Sequence, residues 1–320
     1  MAVLMRIVVT GATGYLGTSV VNTLSAAGHD VVALGRTSRS NWPAGVHAHT
    51  ADLADRETTG RALHEADAVC HLAALMRVTS PHAVGDYYRT NVTGTLNLLD
   101  AIAAEHVRTG RRIRMVFLSS AAVYGAGEGR PLRETDPAVP TGAYGRTKLA
   151  AEHAVASYAG TGAVDAVTLR LFNAAGVAPA GRAPDPHSLI PQALACAAHG
   201  RSLCLRGDGS AIRDFVHICD VVHAIELALQ TAVVGAVRTY NIGAIPARTR
   251  DVIDAAKRIS RRTIAVDHRP AHPNEVQHSI ADTTAAREQL GWTPQHTTLE
   301  DLISDHWRRV HAGHGIEGKA

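Results

Sequence analysis

Tyr144 and Lys148 are the residues of this chain whose types and spacing point most directly to chemistry. They lie four residues apart in residues 144–158, where apolar side chains recur with helical spacing. Such a spacing places the phenol and the ammonium one turn apart on one helix face. A neighbouring cation favours the phenolate, so we expect a lowered pKa that makes Tyr144 a proton acceptor near neutral pH. The alternative is an exposed pair on a helix surface, and the rest of the chain has to decide.

Ser120 is the second candidate for chemistry, because it follows the apolar run 115–118, which reads as a buried strand. Open α/β sheets bind their ligands at the carboxyl ends of their strands. We therefore expect the hydroxyl of Ser120 to face a ligand.

A glycine-rich turn follows the first apolar run of the chain. Residues 5–10 read as a strand, and a Gly-x-x-Gly-x-x-Gly segment then leads into a helix. Glycines let a pyrophosphate approach the backbone, and a helix N-terminus offers free N–H groups and partial positive charge. The order of strand, turn and helix predicts a dinucleotide site. Its predicted members are Gly11, Thr13, Gly14, Tyr15, Leu16 and Gly17.

The end of the second strand bears on which dinucleotide binds. Folds that prefer NAD usually carry an acid there for the ribose 2′-hydroxyl. Here the positions are Gly35 and Arg36, and neither is acidic. An arginine accommodates a 2′-phosphate, so the sequence leans toward NADP or leaves the choice open. Stacking of Arg36 on the adenine is the alternative.

Two further strand ends are expected to contact the cofactor. A third strand over residues 46–53 ends at Asp52 and Leu53, from which a side chain can reach the adenine amine. A fourth strand leads into the small-residue turn Leu72-Ala73-Ala74, where the chain can pass close to the cofactor.

The alternation of β and α segments predicts an α/β fold with a doubly wound parallel sheet. The Gly- and Pro-rich stretch 176–188 is predicted to separate two domains. Residues 1–175 would form the dinucleotide-binding Rossmann domain. Residues 176–320 would form a smaller α/β substrate domain, partly interleaved with the first.

Composition excludes several classes of function. The chain has 320 residues, is 46% hydrophobic and has a formal net charge of +3, with no basic run typical of a nucleic-acid tail. No apolar run approaches the length of a membrane helix. The histidines show no metal-ligand spacing, so no metal is expected. The four cysteines are scattered and, with no signal peptide before residue 5, predict reduced thiols in a cytoplasmic protein.

Taken together, these motifs resemble those of the extended short-chain dehydrogenase/reductases. Within that group the chain is most similar to the UDP-galactose (UDP-glucose) 4-epimerase branch, over nearly its whole length. Besides the glycine turn, Ser120 and Tyr144-x-x-x-Lys148, the resemblance rests on the segments Asp52-Leu53, His71-Leu72-Ala73-Ala74, 169–176 (Leu-Arg-Leu-Phe-Asn-Ala-Ala-Gly), 213–217 (Arg-Asp-Phe-Val-His) and 290–292 (Leu-Gly-Trp).

The resemblance implies a role for each matching residue. Tyr144 would be the catalytic base, Lys148 would hold the nicotinamide ribose and tune Tyr144, and Ser120 would orient the reacting hydroxyl. Cofactor contacts, with NAD expected and NADP not excluded, would also come from Asn91 and Ser119. A nucleotide-diphosphate sugar would be held by Ser120, Tyr144, Asn173, Arg213 and Arg269. Each of the last three residues has an alternative role: Asn173 could cap a turn, Arg213 could form an ion pair with adjacent acids, and Arg269 could be a plain surface residue.

Departures from the family pattern narrow the reaction. Dehydratases of the superfamily carry an Asp-Glu pair after the catalytic hydroxyl, whereas this chain has Ala121-Ala122, so 4,6-dehydration is disfavoured. After Arg269-Pro270 the epimerase pattern often has Gly-Asp, whose acid contacts a ribose; Ala271-His272 stands here, so the contacts to the nucleotide base and ribose are expected to differ. The loop before Arg213 is shorter than in hexose 4-epimerases of primary metabolism, which makes a modified sugar plausible.

The implied function is a nucleotide-sugar 4-epimerase working through a 4-keto intermediate. The rivals are an NADPH-dependent nucleotide-sugar 4-ketoreductase, which Gly35-Arg36 favours, and a non-catalytic dinucleotide-sensing protein. The family also implies a homodimer built on helices at residues 91–105 and 144–158.

Overall fold

A computed structural model describes residues 4–37, 39–76, 83–127, 129–179, 181–231, 235–271 and 276–314, with side chains up to residue 309. His272, which departs from the family pattern, lies outside these ranges. Among the described residues, no helix has the length and apolar character needed to span a membrane.

A seven-stranded parallel sheet forms the larger part of the fold. Its strands are β1 (Arg6–Thr10), β2 (Asp30–Gly35), β3 (His47–Thr50), β4 (Ala68–His71), β5 (Ile113–Ser120), β6 (Val164–Leu171) and β10 (Val237–Ile242). They lie in the order β10-β6-β5-β4-β1-β2-β3. The five central strands are largely buried apolar runs, whereas the edge strands β3 and β10 carry exposed residues.

Helices cover both faces of this sheet, as in other doubly wound folds. On one face, α1 (Tyr15–Ala26) and α7 (Ile218–Gln230) bury Leu24 and Ile225 against the strands. On the other face, α4 (Gly94–Thr109) and α5 (Ala143–Gly160) bury Leu98 and Val155. The α/β class predicted from the sequence is confirmed.

Two smaller sheets and their helices flank the carboxyl edge of the large sheet. β9 (Ile212–His217) pairs with β7 (Asn173–Ala175), β11 (Ile245–Arg248) and β13 (His278–Ser279), and β8 (Leu203–Arg206) pairs with β12 (Val266–Arg269). A third apolar core joins α6 (Leu189–His199), α8 (Thr249–Ser260) and α10 (Leu299–His314). The remaining helices of the described residues are α2 (Arg56–Ala62), α3 (Val84–Tyr87) and α9 (Thr284–Gln289).

The helix expected to open at Asn91 begins earlier than the sequence suggested. It starts as α3, continues as a π-helical turn over Tyr88–Thr93 and only then becomes α4. The third strand is also shorter than predicted and stops at Thr50, so Asp52 lies in the turn before α2. The division into two domains at residue 176 stays a prediction. β10, which lies after that residue, is the last strand at one edge of the large sheet.

Candidate active site

A cavity of about 630 Å³ opens at the carboxyl edge of the parallel sheet, where the sequence predicted a ligand. Its wall includes the glycine turn, the ends of β4, β5 and β6, and the start of α6. The sequence-predicted residues that line it are Gly11, Gly14, Tyr15, Leu16, Gly17, Leu72, Ala74, Ser119, Ser120, Tyr144, Lys148, Asn173 and Arg213.

A second cavity, of about 500 Å³, lies on the other side of Tyr144. Ser120, Tyr144, Asn173 and Arg213 line both cavities. The tyrosine therefore stands at the junction between a glycine-rich chamber and a chamber whose wall carries arginines.

The hydroxyl of Ser120 acts on that of Tyr144 and lowers the pKa of the phenol. Ser120 ends β5, and its Oγ also accepts a hydrogen bond of 3.2 Å from the backbone N–H of Ala122, which fixes the hydroxyl. Gly145 makes this approach possible, because a Cβ there would lie 2.3 Å from the carbonyl oxygen of Ala122. The start of α5 can thus pack directly against the turn after β5.

The expected lowering of the Tyr144 pKa is wrong for this structure. Burial raises the pKa of Tyr144 to about 12; the hydrogen bond with Ser120 acts in the opposite direction, and Tyr87 adds a further upward contribution. Lys148 is itself almost fully buried, and burial lowers its pKa to about 7, although Glu152 opposes that change. Desolvation of both groups outweighs the helical spacing on which the prediction rested.

Lys148 sits in an apolar part of the wall. Its Nζ lies 4.3 Å from the centre of the Phe117 ring, an arrangement that stabilises a cation over an aromatic face. The neighbouring buried imidazole of His71 is held between the hydroxyls of Thr10 (2.7 Å) and Thr95 (2.9 Å). Burial lowers the pKa of His71 to about 3, so this ring is neutral and adds no positive charge beside Lys148.

The glycine turn leaves room for a phosphate. Gly11 has a φ of +68°, and a Cβ on it would lie 2.8 Å from the backbone nitrogen of Ala73. A Cβ at Gly17 would lie 2.1 Å from the carbonyl oxygen of Gly11. Gly14 begins α1 without a side-chain cap, so the first backbone N–H groups of the helix have no capping side chain. The residues therefore fit the pyrophosphate of a dinucleotide.

Asn91 has a different set of contacts from those expected of a cofactor ligand. Its Nδ2 donates to Leu75 O and to Thr147 Oγ1, both at 3.0 Å, and its Oδ1 accepts from Leu75 N at 2.7 Å. This buried amide fastens the turn after β4 to helix α5. Its influence on a bound cofactor would be indirect.

Several other predicted residues do not line either of these cavities. Arg36 and Asp52 are exposed, and Asp52 Oδ1 caps its own turn by accepting from Ala54 N at 3.0 Å. Leu53 is buried in the apolar core under α4. Thr13, Ala73 and Arg269 also lie outside the two linings.

Asn173 and Arg213 are positioned by strand pairing. Asn173 opens β7, and its Nδ2 donates to Asp214 O at 2.9 Å. The Asp214 carboxylate is occupied with three backbone N–H groups, those of Ala244, Ile245 and Ala281. Asp214 is therefore a structural tie, and its neighbour Arg213 lines both cavities.

Two residues of this region were missed at the sequence level. Arg206 lines the second cavity and is paired in register with Arg269 on β12, but nothing in its local sequence distinguishes it from any exposed arginine. Glu152 is buried beneath Ser119, and its position four residues after Lys148 on the same helix face is a signal that could have found it.

Comparison with known proteins identifies the family. The family model for the NAD dependent epimerase/dehydratase family matches residues 7–243. The chain belongs to the NAD dependent epimerase/dehydratase family. The match confirms the resemblance inferred from the motifs.

Relatives of this epimerase-family chain include UDP-glucose 4-epimerases. The enzyme of Corynebacterium glutamicum is 33% identical, with 95% of each chain covered. The structure of Thermus thermophilus UDP-glucose 4-epimerase in complex with NAD has a TM-score of 0.82 at 30% identity, covering 95% of this chain and 99% of that one. That of the Stenotrophomonas maltophila enzyme, with bound NAD and formylated UDP-arabinopyranose, has a TM-score of 0.85 at 30% identity, covering 98% and 99%.

Proposed function

We propose that this protein is an NAD-using nucleotide-sugar 4-epimerase with a UDP-sugar as substrate. The observation that carries the proposal is the position of Tyr144, which together with Ser120 lines both the glycine-rich cavity and the arginine-lined cavity. The family membership and the ligands of the similar structures support the choice of cofactor and of nucleotide.

Tyr144, as the phenolate, accepts the proton of the 4-hydroxyl group and gives it back to O4 when the hydride returns to C4. Ser120 orients that hydroxyl by a hydrogen bond. Lys148, one helical turn away, contributes positive charge to the same wall and binds the ribose of the cofactor. The nicotinamide, when bound, supplies the hydride acceptor for C4 and the source from which the hydride returns. The 4-keto sugar turns over between the two steps, so that its opposite face receives the hydride.

The diphosphate of the substrate is the tether during this rotation. Arg213 has the planar, bidentate geometry that suits phosphate oxygens, and Asn173 lines the same two cavities. Arg206 and Arg269, side by side on β8 and β12, extend the positive surface beyond the second cavity. We assign the nucleotide half of the substrate to that side of Tyr144.

Dehydration is a poor fit to this site. The 3₁₀ turn Ala121–Val123 follows Ser120 directly, and its first two side chains are methyl groups. An elimination at C6 needs an acid and a base beside the sugar, and these positions supply neither.

A 4-ketoreductase that exchanges NADPH at each turnover is the second candidate, favoured by one observation. Arg36 follows Gly35 at the end of β2 and is exposed, so its guanidinium is free to meet a 2′-phosphate from solvent. A dinucleotide-sensing protein without catalysis is the third candidate. It has no need of a buried lysine, whose ammonium is costly to desolvate.

The test is to extract the purified protein with acid, identify any released dinucleotide, and then offer UDP-sugars without added cofactor. The panel comprises UDP-glucose, UDP-galactose, UDP-glucuronic acid, UDP-arabinose and UDP-N-acetylglucosamine. We expect co-purified NAD and conversion of at least one sugar to its C4 epimer. A nucleotide-free protein that consumes NADPH with a 4-keto sugar would replace the epimerase by the reductase.

A further inference from the structure

The buried carboxylate of Glu152 lies directly behind the proposed catalytic residues. We propose that Glu152 is a positioning residue, which acts through Lys148 and Ser119 to maintain the positive charge beside Tyr144. The proposal rests on the epimerase function proposed above. It adds a residue that contacts neither cavity and that none of the motif arguments used.

Glu152 is held by charged and polar partners from two strands. Ser119 Oγ on β5 donates to Glu152 Oε1, and Arg170 on β6 donates to both carboxylate oxygens, at 2.7 Å from Nη2 and 3.1 Å from Nε. The side chains of Glu152 and Arg170 are each only 9% exposed. The contact with Glu152 orients the side chain of Ser119, a residue that lines the glycine-rich cavity next to Ser120.

Lys148 lies one helical turn before Glu152, on the same buried face of α5. The carboxylate of Glu152 therefore contacts Arg170 directly and acts on Lys148 through space, where it raises the pKa of the lysine. The guanidinium remains protonated at every pH of interest, because burial is outweighed by its contacts with Glu152 and the pKa of Arg170 is raised. Removal of the negative charge of Glu152 should consequently lower the pKa of Lys148, because Arg170 keeps its proton.

Apart from Glu134, the other groups that face Lys148 and Arg170 are uncharged. His71 on β4 is neutral, as described above, and Phe117 on β5 offers only its ring. Arg170 lies over the ring of Tyr124, 4.8 Å from its centre. The hydroxyl of Tyr124 donates a hydrogen bond to Asn241, and burial raises the pKa of Tyr124. Glu134, the remaining acid of the network, meets Arg170 through its backbone oxygen and directs its carboxylate to Asn241 N.

The experiment uses a property of the sequence: the chain contains only three lysines, Lys148, Lys257 and Lys319. Nuclear magnetic resonance of protein labelled with ¹³C at lysine Cε follows each of them through a pH titration. Lys148→Arg assigns the signal, and the other two lysines are internal references. The dinucleotide content of every sample is measured, so that variants are compared at equal occupancy.

We expect Lys148 to titrate near 7 in the wild type and at least about one pH unit lower in Glu152→Gln, since an opposite charge nearby shifts a pKa by that order. Glu152→Asp, which keeps the charge, should restore most of the difference. Glu300→Gln, which removes a carboxylate paired with Arg258 at the surface, is the matched control and should leave Lys148 unchanged.

Arg170→Gln is the second variant, because Glu152→Gln leaves a buried guanidinium unpaired and can fail to fold. It removes the competing cation, so Lys148 should titrate higher than in the wild type. An unchanged Lys148 titration in either folded variant overturns the proposal. If the wild type epimerises no sugar, the proposed function fails, but the lysine titration still decides the role of Glu152. If the wild type is active, the alkaline limb of the pH–rate profile of Glu152→Gln should shift to lower pH together with the pKa of Lys148.

Discussion

At the scale of single residues, the site combines two groups, Tyr144 and Lys148, that burial makes costly to charge. The pKa of Tyr144 is raised to about 12 and that of Lys148 is lowered to about 7, and both shifts come mainly from desolvation. Tyr144 is thus a phenol in the isolated chain at neutral pH. Its activation as a base requires a nearby positive charge, and the helical spacing makes Lys148, one turn away on α5, the candidate.

Replacing Tyr144 by phenylalanine should remove the proton acceptor while keeping the ring that packs in the wall. We expect a loss of about 10²–10⁴-fold in kcat, the usual contribution of a positioned acid–base group, with unchanged dinucleotide content. The matched control is Tyr158→Phe on the same helix, whose hydroxyl meets Asp100 away from the cavities. Near-normal turnover by Tyr144→Phe would refute the assignment.

Replacing Lys148 by methionine should stabilise the protein while abolishing its function. The folded-state pKa is about 7, below the usual value of 10.5, so the unfolded chain binds the extra proton and wild-type stability rises as pH increases from 7 to 10.5. Lys148→Met escapes this cost. We expect it to gain on the order of 5 kcal/mol in the free energy of unfolding at pH 6, and progressively less toward pH 10.5.

Denaturant unfolding of Lys148→Met and wild type at several pH values measures that difference. Lys257→Met is the control, since Lys257 is a partly exposed lysine paired with Asp254. A gain for Lys148→Met that does not shrink as the pH rises would show that desolvation of the ammonium is not its origin.

At the scale of elements, the junction of β1 and α1 provides the phosphate cradle. Gly17 is required for packing, since a Cβ there would meet Gly11 O at 2.1 Å. Gly14 is different, because its φ of −77° and ψ of 177° suit any residue, and a Cβ there would come no closer than 3.1 Å to Gly11 O. Its lack of a side chain is therefore explained by a ligand better than by the fold.

Gly14→Ala should consequently fold and lose its dinucleotide. We expect dinucleotide affinity to fall at least about tenfold, which corresponds to about 1.4 kcal/mol, with little change in the unfolding midpoint of the nucleotide-free protein. Gly60→Ala in α2, where a Cβ meets nothing within 4 Å, is the matched control. Calorimetric titration with NAD measures both variants; equal affinities would argue against phosphate binding at this turn.

At the scale of the whole molecule, the active-site cavities lie between the large sheet and the smaller sheets, and α10 braces that junction. Asp305 of α10 contacts His217 at 3.1 Å, and Arg309 donates to Gly181 O at 2.9 Å. On the opposite side of the large sheet, α4 and its preceding turns leave apolar side chains in solvent. Tyr88 is 44% exposed and Leu96 37% exposed.

We expect this apolar surface to be covered by a second copy of the chain. Light scattering after size-exclusion chromatography should give twice the monomer mass of 33.8 kDa, and Leu96→Asp should shift the protein toward monomer. Leu4→Asp, at another exposed apolar side chain, is the control. A monomeric wild type would contradict the expected dimer.

The parts of the site that depend on residue spacing could be predicted from the local sequence. The glycine turn, Ser120 at a strand end and Tyr144 with Lys148 one turn apart were all predictable, because each is defined by a few consecutive residues. The direction of the Tyr144 pKa was not, because burial depends on strands and loops distant in sequence. Asn91 was expected at the cofactor but binds Leu75 and Thr147, partners that only the π-helical turn brings within reach.

The central claim is that hydride leaves and returns to C4 of the same sugar without leaving the protein. The most direct test incubates the purified protein, without added cofactor, with a mixture of UDP-sugar labelled with ¹³C and the same sugar, without ¹³C, deuterated at C4. The account predicts a C4 epimer in which deuterium stays at C4 of the molecules without ¹³C and does not appear in those with ¹³C. Product that forms only with added NADPH, and that takes its C4 hydrogen from that NADPH, would contradict it.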